Sequence, residues 1–258
     1  MNYAKQTLSI FLLLSLSLFV HSAKLQENTV NELLVLSGIK SQMEDVPSTI
    51  AIMMEQGMPS LPADKKKQAK TTFDKVFNSD LILKDISKEI QKSMSAEDAK
   101  KVIAWYESNT GNRIARAEEY ASTPEAMQEF QKVAAEVMSN KELIATAKKL
   151  MDEMMLVDES IQFQRSVMLA TLVGIAKANK PDQAIVIKEL EDFVDMQIGQ
   201  SKAGLEQMLV AQLAFSYKDI DKSAMDEYLA VLKTPAMKKF NGSQYAGSKL
   251  ALDKALER

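Results

Sequence analysis

The stretch MSAEDAKKVIAWYESNTGNRIARAEEYA, Met94 to Ala121, decides the fold and contains the single tryptophan of the chain, Trp105. Ser95 can cap a helix through its side-chain oxygen, and Asp98 stands where a capping box places its acid. Apolar residues then recur at spacings of three and four, as on the buried face of an amphipathic helix. The stretch therefore predicts a packed helix that begins after Ser95 and is anchored in the core by Trp105.

A second stretch, Ile220 to Gly247, repeats this pattern 126 positions later without a gap. Asp221 stands where the first stretch has Ser95, and both are good helix caps. Few identities survive, but the apolar positions, the caps and a central turn coincide. We interpret the two stretches as a diverged internal duplication.

The second stretch also explains the turn in the first one. Proline favours the first turn of a helix, and the residue before it favours an extended backbone, so Thr234 should cap a helix that begins at Pro235. By analogy, Ser108 should end one helix and cap the next. Gly111 then lies in the first turn of that next helix, where it can allow a close backbone approach.

The beginning of the chain has the pattern of an export signal. Lys5 precedes an apolar stretch of 13 residues, Leu8 to Val20, which is shorter than the roughly 20 residues needed to span a bilayer. Small residues follow near Ser22 and offer a cleavage site. We expect residues 1–22 to be a cleaved signal peptide and the mature protein to be periplasmic.

Composition excludes several classes of function. The sequence has no cysteine and one histidine, His21, which lies in the predicted signal peptide. Cys–His nucleophiles, Ser–His–Asp triads, His- or Cys-based zinc sites and redox dithiols are therefore unavailable. The formal charge of −3 argues against a nucleic-acid partner. No later segment is long and apolar enough to predict a membrane span.

The pattern of the whole chain is helical, since no segment alternates apolar and polar residues over a strand length. We predict an all-α, multi-helix bundle with a first lobe at 23–138 and a second lobe at 139–258. A long antiparallel helical hairpin, Lys141 to Ala178 and Pro181 to Tyr217, should join the two diverged repeat lobes. The second hairpin helix could break around Gly199 to Gly204.

Other helix boundaries follow from capping signals. Thr29 is expected to cap a helix that ends at Gly38, and Ser79 is expected to cap the helix before Met94. Thr123-Pro124 repeats the cap-plus-proline start. A separate terminal helix is expected from Gly247 to Arg258.

The run from Ala104 to Ser108, with its aromatic pair, resembles the bacterial family catalogued as domain of unknown function 2059. That family has a Ser-Pro-x-Gly-Gln turn; here Asn109 replaces the proline, Gly111 is present, and Asn112 stands where glutamine is common. The run from Leu34 to Gly38 also looks like the leading helix of the family. The resemblance implies an exported helical protein without an assigned activity, and it implies no catalytic residue.

Methionine is abundant, with 16 residues, and two clusters have helical spacing. They comprise Met53, Met54 and Met58, and Met151, Met154 and Met155. Thioethers suit Cu(I), but methionine also fills cores and lines adaptable apolar grooves. We favour the second interpretation and expect neither a metal nor a cofactor.

Acidic residues offer the other candidate chemistry, since paired carboxylates could serve a hydrolase. Most of them fall on polar helix faces, where solvated charge is the ordinary explanation. They comprise Glu97, Asp98, Glu118, Glu119, Asp152, Glu153, Glu189, Glu191, Asp192 and Asp195. Asp158 and Arg165, seven positions apart beside an apolar stripe, could form a buried contact or face solvent, and we favour solvent.

Cations early in two short helices are the one local inconsistency, because a helix N-terminus prefers negative charge. Arg113 and Arg116 in the first stretch, and Lys238 and Lys239 in the second, could meet an acidic partner or the C-terminus of another helix.

We therefore predict an exported, non-enzymatic protein that binds or assembles through a methionine-rich apolar helical surface, with a protein, hydrophobic peptide or lipid as partner. Trp105, Tyr106, Gly111 and Arg113 are the candidate binding residues. The alternatives are a carboxylate-based hydrolase and a carrier of a small hydrophobic ligand or metal.

Overall fold

The computed structural model describes residues 24–45, 78–179 and 187–256, together with the single positions 62, 67, 70 and 71. All regular structure in these residues is helical, which confirms the all-α fold class. The helices with assigned bounds are α1 Glu27–Leu36, α2 Ser79–Ser93, α3 Ala96–Glu107, α4 Asn109–Ala121, α5 Pro124–Ser139, α6 Lys141–Glu153, α7 Leu156–Asn179, α8 Ile187–Ser216, α9 Lys222–Leu232 and α10 Pro235–Leu256. Residues 39–45 are also helical.

Some sequence predictions fall outside the described residues. They are the signal peptide at 1–22, the methionine cluster of Met53, Met54 and Met58, and the turn at Pro181.

Two predicted caps in the first half are one or more residues away from the observed ones. The first helix begins at Glu27 after Gln26, so Thr29 lies inside it and is not its cap. Asn78 caps α2 by accepting a hydrogen bond from the Leu81 amide at 3.0 Å. Ser79 is instead the first helical residue. Its hydroxyl donates to the Met43 carbonyl at 2.6 Å. The Ser79 side chain therefore forms a tertiary contact, although capping preference predicts that it caps the helix.

Other predicted boundaries are confirmed. Gly38 follows the end of α1 with a φ of 73°, the left-handed conformation that glycine adopts easily after a helix. Thr123 caps α5 by accepting from the Ala126 amide, with Pro124 as the first helical residue.

The predicted long helix from Lys141 to Ala178 is wrong, because it is divided at Met154 and Met155 into α6 and α7. Met155 has a φ of 57°, a conformation that few residues other than glycine adopt. The Met154 amide still bonds to the Leu150 carbonyl, which closes the end of α6. The apolar spacing continues through the break, so periodicity could not reveal it.

Replacing Met155 by glycine is expected to stabilise the protein by about 0.5–1 kcal/mol, because glycine removes the cost of a left-handed backbone. The Met155 side chain is 52% exposed, so little packing is lost. Urea unfolding measures the change. The matched control is Met138→Gly, an exposed methionine with helical backbone in the last turn of α5, which should lose up to about 1 kcal/mol. Equal destabilisation by both changes would show that the backbone at Met155 carries no left-handed cost for glycine to remove.

Two expected helix breaks do not occur. Gly199 and Gly204 both lie inside the continuous helix α8, and nothing would contact a side chain at either position within 4 Å. Gly247 lies inside α10, which runs without interruption from the turn to the end of the described chain. The glycine at position 247 does not end α10 but allows another helix to pack closely against it.

That contact joins α2 to α10. A Cβ atom at Gly247 would lie 2.4 Å from the Ile86 Cα and 2.7 Å from the Ile86 nitrogen, so the two backbones are in direct contact. Lys254 adds an ion pair with the buried Asp85 at 3.0 Å. The largest hydrophobic cluster accordingly contains buried side chains from both halves of the sequence, for example Ile90 and Phe240.

The long helices α7 and α8 pack against each other around a smaller cluster of Leu169, Val194 and Ile198. Arg165 lies beside it and pairs with Glu191 at 3.2 Å and with Asp195 at 2.8 Å. Asp158 is exposed, in agreement with the interpretation favoured from the sequence, so its contact with Arg165 is not formed. Instead, Arg165 ties the two long helices together.

An apolar cleft beside a buried tyrosine–glutamate cluster

The α3–α4 turn is built from the caps that the sequence predicts. Ser95 and Asp98 form the capping box of α3, with the Asp98 amide donating to the Ser95 hydroxyl at 3.1 Å. Ser108 ends α3 and caps α4 by accepting from the Gly111 amide at 3.0 Å. A Cβ atom on Gly111 would lie 2.0 Å from the Trp105 carbonyl oxygen. Only glycine fits this turn without displacing backbone.

The two aromatic residues of this turn are buried and contact the second half of the chain. The Trp105 ring stacks on Tyr228 at 5.9 Å, with 4° between the ring planes. The Tyr106 ring meets Phe240 edge-on at 6.2 Å. The buried Trp105 Nε1 has no hydrogen-bond partner among the described residues. Apolar and stacking contacts therefore hold Trp105 in place, as expected of a core anchor.

Two of the four unexpected cations, Arg113 and Lys239, form ion pairs between the two halves of the chain. Arg113 in α4 contacts Asp221, the cap of α9, at 3.0 Å. Lys239 in α10 contacts Asp98, the capping-box acid of α3, at 2.6 Å. Each of these two cations therefore pairs with the acid at the N-terminus of another helix, so the tertiary fold explains the position of Arg113 and of Lys239.

A buried carboxyl group joins three helical regions at the next turn of α4. Glu118 accepts hydrogen bonds from Tyr217 at 2.5 Å and from Tyr228 at 2.7 Å, both at its Oε1 atom. The Tyr228 hydroxyl also lies 3.8 Å from the Met154 sulfur, and the rings of the two tyrosines meet edge-on at 6.1 Å. We call Glu118, Tyr217 and Tyr228 the tyrosine–glutamate cluster.

Burial raises the pKa of Glu118, although the two tyrosine hydrogen bonds act in the opposite direction. The residue as a whole is half-buried, but its carboxyl group is enclosed by the tyrosines, and that local environment governs its ionisation. Burial also raises the pKa of Tyr217 and of Tyr228 well above the ordinary tyrosine value, with the Glu118 charge as the second cause. Glu118 is therefore an exception to the expectation that the acidic residues lie on solvated helix faces.

An apolar cleft of about 430 Å³ opens next to this cluster. It lies between the end of α4, the beginning of α5, helices α7 and α8, and the helical residues 39–45. Its lining residues are Gln42, Met43, Asp45, Ala121, Ser122, Ala126, Met127, Phe130, Leu156, Phe163, Leu209, Gln212, Leu213, Phe215 and Ser216. A volume of this size falls within the range of about 300–1,000 Å³ that small-molecule sites occupy.

Side-chain contacts connect the elements that form the walls of the cleft. Glu129, adjacent to the lining residue Phe130, accepts from Tyr120 at 2.5 Å and pairs with Lys218 at 3.4 Å. The Lys218 nitrogen also lies 4.9 Å from the centre of the Phe215 ring. Phe130 and Phe215 meet edge-on at 5.5 Å. These contacts connect α4, α5 and α8 around the cleft.

None of the four candidate binding residues named from the sequence lines the cleft. Trp105 and Tyr106 are buried, Gly111 permits a tight turn, and Arg113 forms an ion pair. Of the second methionine cluster, Met151 is buried, Met154 is partly buried and Met155 is exposed. The methionines that do line the cleft are Met43 and Met127, which sequence reasoning missed because neither belongs to a cluster.

The two acidic residues whose pKa is raised by burial do not belong to the described lining of the cleft. Burial raises the pKa of Glu159 to about 7, but neither Glu159 nor Glu118 is among the residues that line the cleft. Among the described residues, no three His, Cys, Asp or Glu side chains come together as possible metal ligands. No helix in the described part of the chain combines the length and apolar character needed to cross a bilayer.

The fold and site define an all-helical protein with an apolar cleft between its helices. Residues 82–140 match the model of a family described as an uncharacterized protein conserved in bacteria, domain of unknown function 2059. The resemblance noted from the sequence is confirmed over this segment, which contains Glu118 and the cleft residue Phe130. No curated protein and no solved structure matches the chain.

Proposed function

We propose that this protein is an exported, non-enzymatic binding protein that takes an apolar ligand into the cleft beside α5, α7 and α8. The observation that carries the proposal is the cleft itself, whose volume of about 430 Å³ suits a small ligand or a few side chains of a peptide. Met43 and Met127 supply adaptable lining. Phe130, Phe163 and Phe215 supply large aromatic surfaces.

The chemistry of the lining favours one class of occupant. The polar lining residues stand among apolar neighbours and are Gln42, Asp45, Ser122, Gln212 and Ser216. Two of their hydroxyl groups already donate to carbonyl groups nearby in the chain, Ser122 to Glu119 at 2.7 Å and Ser216 to Gln212 at 2.9 Å. Asp45 is the single charged residue among the described lining residues. We therefore expect an apolar molecule whose polar end is neutral or positively charged.

Binding is tested with N-phenyl-1-naphthylamine, a neutral apolar dye whose emission rises in apolar surroundings. We expect saturable binding in the micromolar range by the purified protein. Ala121→Phe places a ring in the cleft and should weaken binding at least about tenfold, since it occupies the space that the dye needs. The matched control, Ala203→Phe, adds the same ring at an exposed position of α8 outside the lining and should leave binding unchanged. Equal losses in both variants would refute the cleft as the binding site.

Displacement of the dye tests the charge of the ligand. Dodecylamine should displace it at lower concentration than dodecanoate, and Asp45→Asn should remove that difference. A preference for dodecanoate would overturn the assignment of ligand charge.

Export is the second part of the proposal. It rests on the apolar stretch Leu8 to Val20 behind Lys5. Sequencing the N-terminus of the protein isolated from the periplasm should begin near Ala23. Recovery of the uncleaved chain from the cytoplasm would count against it.

A carboxylate-based hydrolase is not favoured by any specific contact. Such an enzyme needs two acids facing one pocket, whereas the described lining of the cleft contains one, Asp45.

We also infer that α3 with α4, and α9 with the beginning of α10, are diverged copies of one unit. In support, Ala96 and Lys222 begin helices 126 positions apart, and so do Asn109 and Pro235. Most positions buried in the first copy have buried counterparts at the same offset, for example Tyr106 and Leu232, although Trp105 corresponds to the partly buried Val231. A relative in which the two sets of helix boundaries fail to correspond would argue against a duplication.

A further inference from the structure

We propose that Glu118 is a positioning residue for the apolar cleft: through its bonds to Tyr217 and Tyr228 it sets the spacing of the cleft walls according to whether its carboxyl group carries a proton. The consequence for ligand affinity rests on the proposed binding function, whereas the effect on the walls does not.

The cluster lies within one helical turn of both walls. Glu118 lies three residues before the lining residue Ala121, the last residue of α4, and Tyr217 directly follows the lining residue Ser216 at the end of α8. The bond of 2.5 Å between Tyr217 and Glu118 therefore connects the two walls. Separation of these two groups would move the end of α8 relative to α4 and change the width of the cleft.

Protonation of Glu118 leaves the hydrogen bonds intact. Both tyrosine hydroxyls donate to Oε1, and a carbonyl oxygen has two lone pairs that accept them. The proton can then reside on Oε2. The neutral carboxyl group keeps the two bonds to Tyr217 and Tyr228 and loses the cost of a charge in an enclosed site.

Ionisation of Glu118 places a negative charge in the enclosed site, where burial disfavours it. The titratable groups that face Glu118 are Tyr106 from α3, Tyr217 from the end of α8 and Tyr228 from α9, and a tyrosine hydroxyl offers no positive charge. On the side of α5, Glu129 is paired with Tyr120 and Lys218. An ionised Glu118 therefore gains most from an opening that admits water to its carboxylate.

The direction of the pH effect follows. We call the arrangement in the structure, with Tyr217 bonded to Glu118, the closed arrangement. Burial raises the pKa of Glu118 in it, so it binds a proton more tightly than an open arrangement in which water reaches the carboxyl group. Closed walls are favoured at pH values below the ordinary carboxyl pKa, and that advantage is lost as the pH rises through the raised pKa. We expect the cleft to loosen, and its ligand affinity to fall, as the pH increases.

Amide hydrogen exchange of the full protein tests the effect on the walls. Protection factors for residues 118–122 and 213–217, corrected for intrinsic exchange, should be severalfold higher near pH 5 than near pH 8, because protection falls as the pH rises through the raised pKa of Glu118. Glu118→Gln keeps an acceptor oxygen but cannot ionise, so its protection should not depend on pH. Glu119→Gln, which changes the exposed neighbour, should behave as the unmodified protein. An equal pH effect in the Glu118→Gln variant and the unmodified protein would overturn the proposal.

The dye then tests the consequence for binding. Its Kd should rise about threefold to tenfold between the same pH values in the unmodified protein and stay constant in Glu118→Gln. Tyr217→Phe gives a second variant if the first does not fold, because removing the bond between the walls should abolish the pH dependence of Kd. Dye binding whose Kd does not follow wall protection would overturn the link to affinity. Failure of the dye to bind at either pH, with wall protection still following Glu118, would refute the binding function and support the positioning role.

Discussion

Gly247→Ala is expected to destabilise the protein by about 3 kcal/mol, one of the largest effects of any single methyl group in this chain. The added Cβ would lie 2.4 Å from the Ile86 Cα and 3.0 Å from the Asp85 carbonyl carbon. These are backbone atoms of α2, so no side-chain rotation can relieve the overlap. The helices α2 and α10 would have to separate, and buried residues such as Ile90 and Phe240 would lose contacts on both sides.

The same helix supplies the control for this experiment. Gly242→Ala introduces the same methyl group in α10, where nothing lies within 4 Å of the new atom. Because alanine favours a helix over glycine, this change should stabilise the protein by about 0.5–1 kcal/mol. Both values come from urea unfolding of the purified variants. Similar values for the two changes would show that α2 and α10 tolerate a wider separation than the structure gives them.

The sequence predicts this region only in part. Thr234-Pro235 correctly places the beginning of α10, because capping and proline preferences act over a few neighbouring residues. Local preference treats glycine as a breaker and therefore predicts a helix boundary at Gly247, which is wrong. The actual role of Gly247 depends on Ile86, which is 161 positions away in the chain. Only the tertiary fold brings these two residues together.

The candidate site shows the same division between local and tertiary information. The α3–α4 turn, with Ser95, Ser108 and Gly111, follows from capping chemistry and is predicted correctly. The cleft is not predictable in this way, because its walls come from four distant segments and its volume depends on how α5, α7 and α8 pack. The break at Met155 contributes to that packing, and a methionine gives no local signal for a left-handed backbone.

Glu118 could have been found in the sequence. Gly111, Ile114 and Ala115 are the buried residues of α4, and a spacing of three and four places Glu118 next on the same face. A charged residue at a core position requires a partner. However, acidic residues are usually expected on polar helix faces. The partners Tyr217 and Tyr228 also lie about 100 residues further along the chain, so no local pattern identifies them.

Arg113 is a contrasting example. A cation early in a helix conflicts with the preference of that helix, and no neighbouring residue in the chain resolves the conflict. Its contact with Asp221 shows that the cap of a different helix supplies the charge. A departure from a local rule here marks a tertiary contact between the halves.

Glu118→Ala is expected to destabilise the protein by about 3 kcal/mol near neutral pH, because it leaves two buried hydroxyl groups without their acceptor. Tyr217 is 1% exposed and Tyr228 is 2% exposed, so neither hydroxyl can turn to solvent. Tyr228 retains only the Met154 sulfur at 3.8 Å, a weak acceptor. Removing the carboxyl group also opens a cavity between α4 and α9. Thermal and urea unfolding measure the loss.

Two comparisons separate the hydrogen bonds from the charge. Glu119→Ala, at the exposed neighbouring position, should change stability by less than about 0.5 kcal/mol. Glu118→Gln keeps an acceptor and should lose less than Glu118→Ala at every pH. Because the folded pKa of Glu118 is raised, the carboxyl group contributes most in acid and loses that contribution as the pH rises through the raised pKa. The stability advantage of the unmodified protein over Glu118→Gln should therefore shrink with increasing pH. An advantage that grows with pH would mean that Tyr217 and Tyr228 stabilise the ionised carboxylate by more than its burial costs.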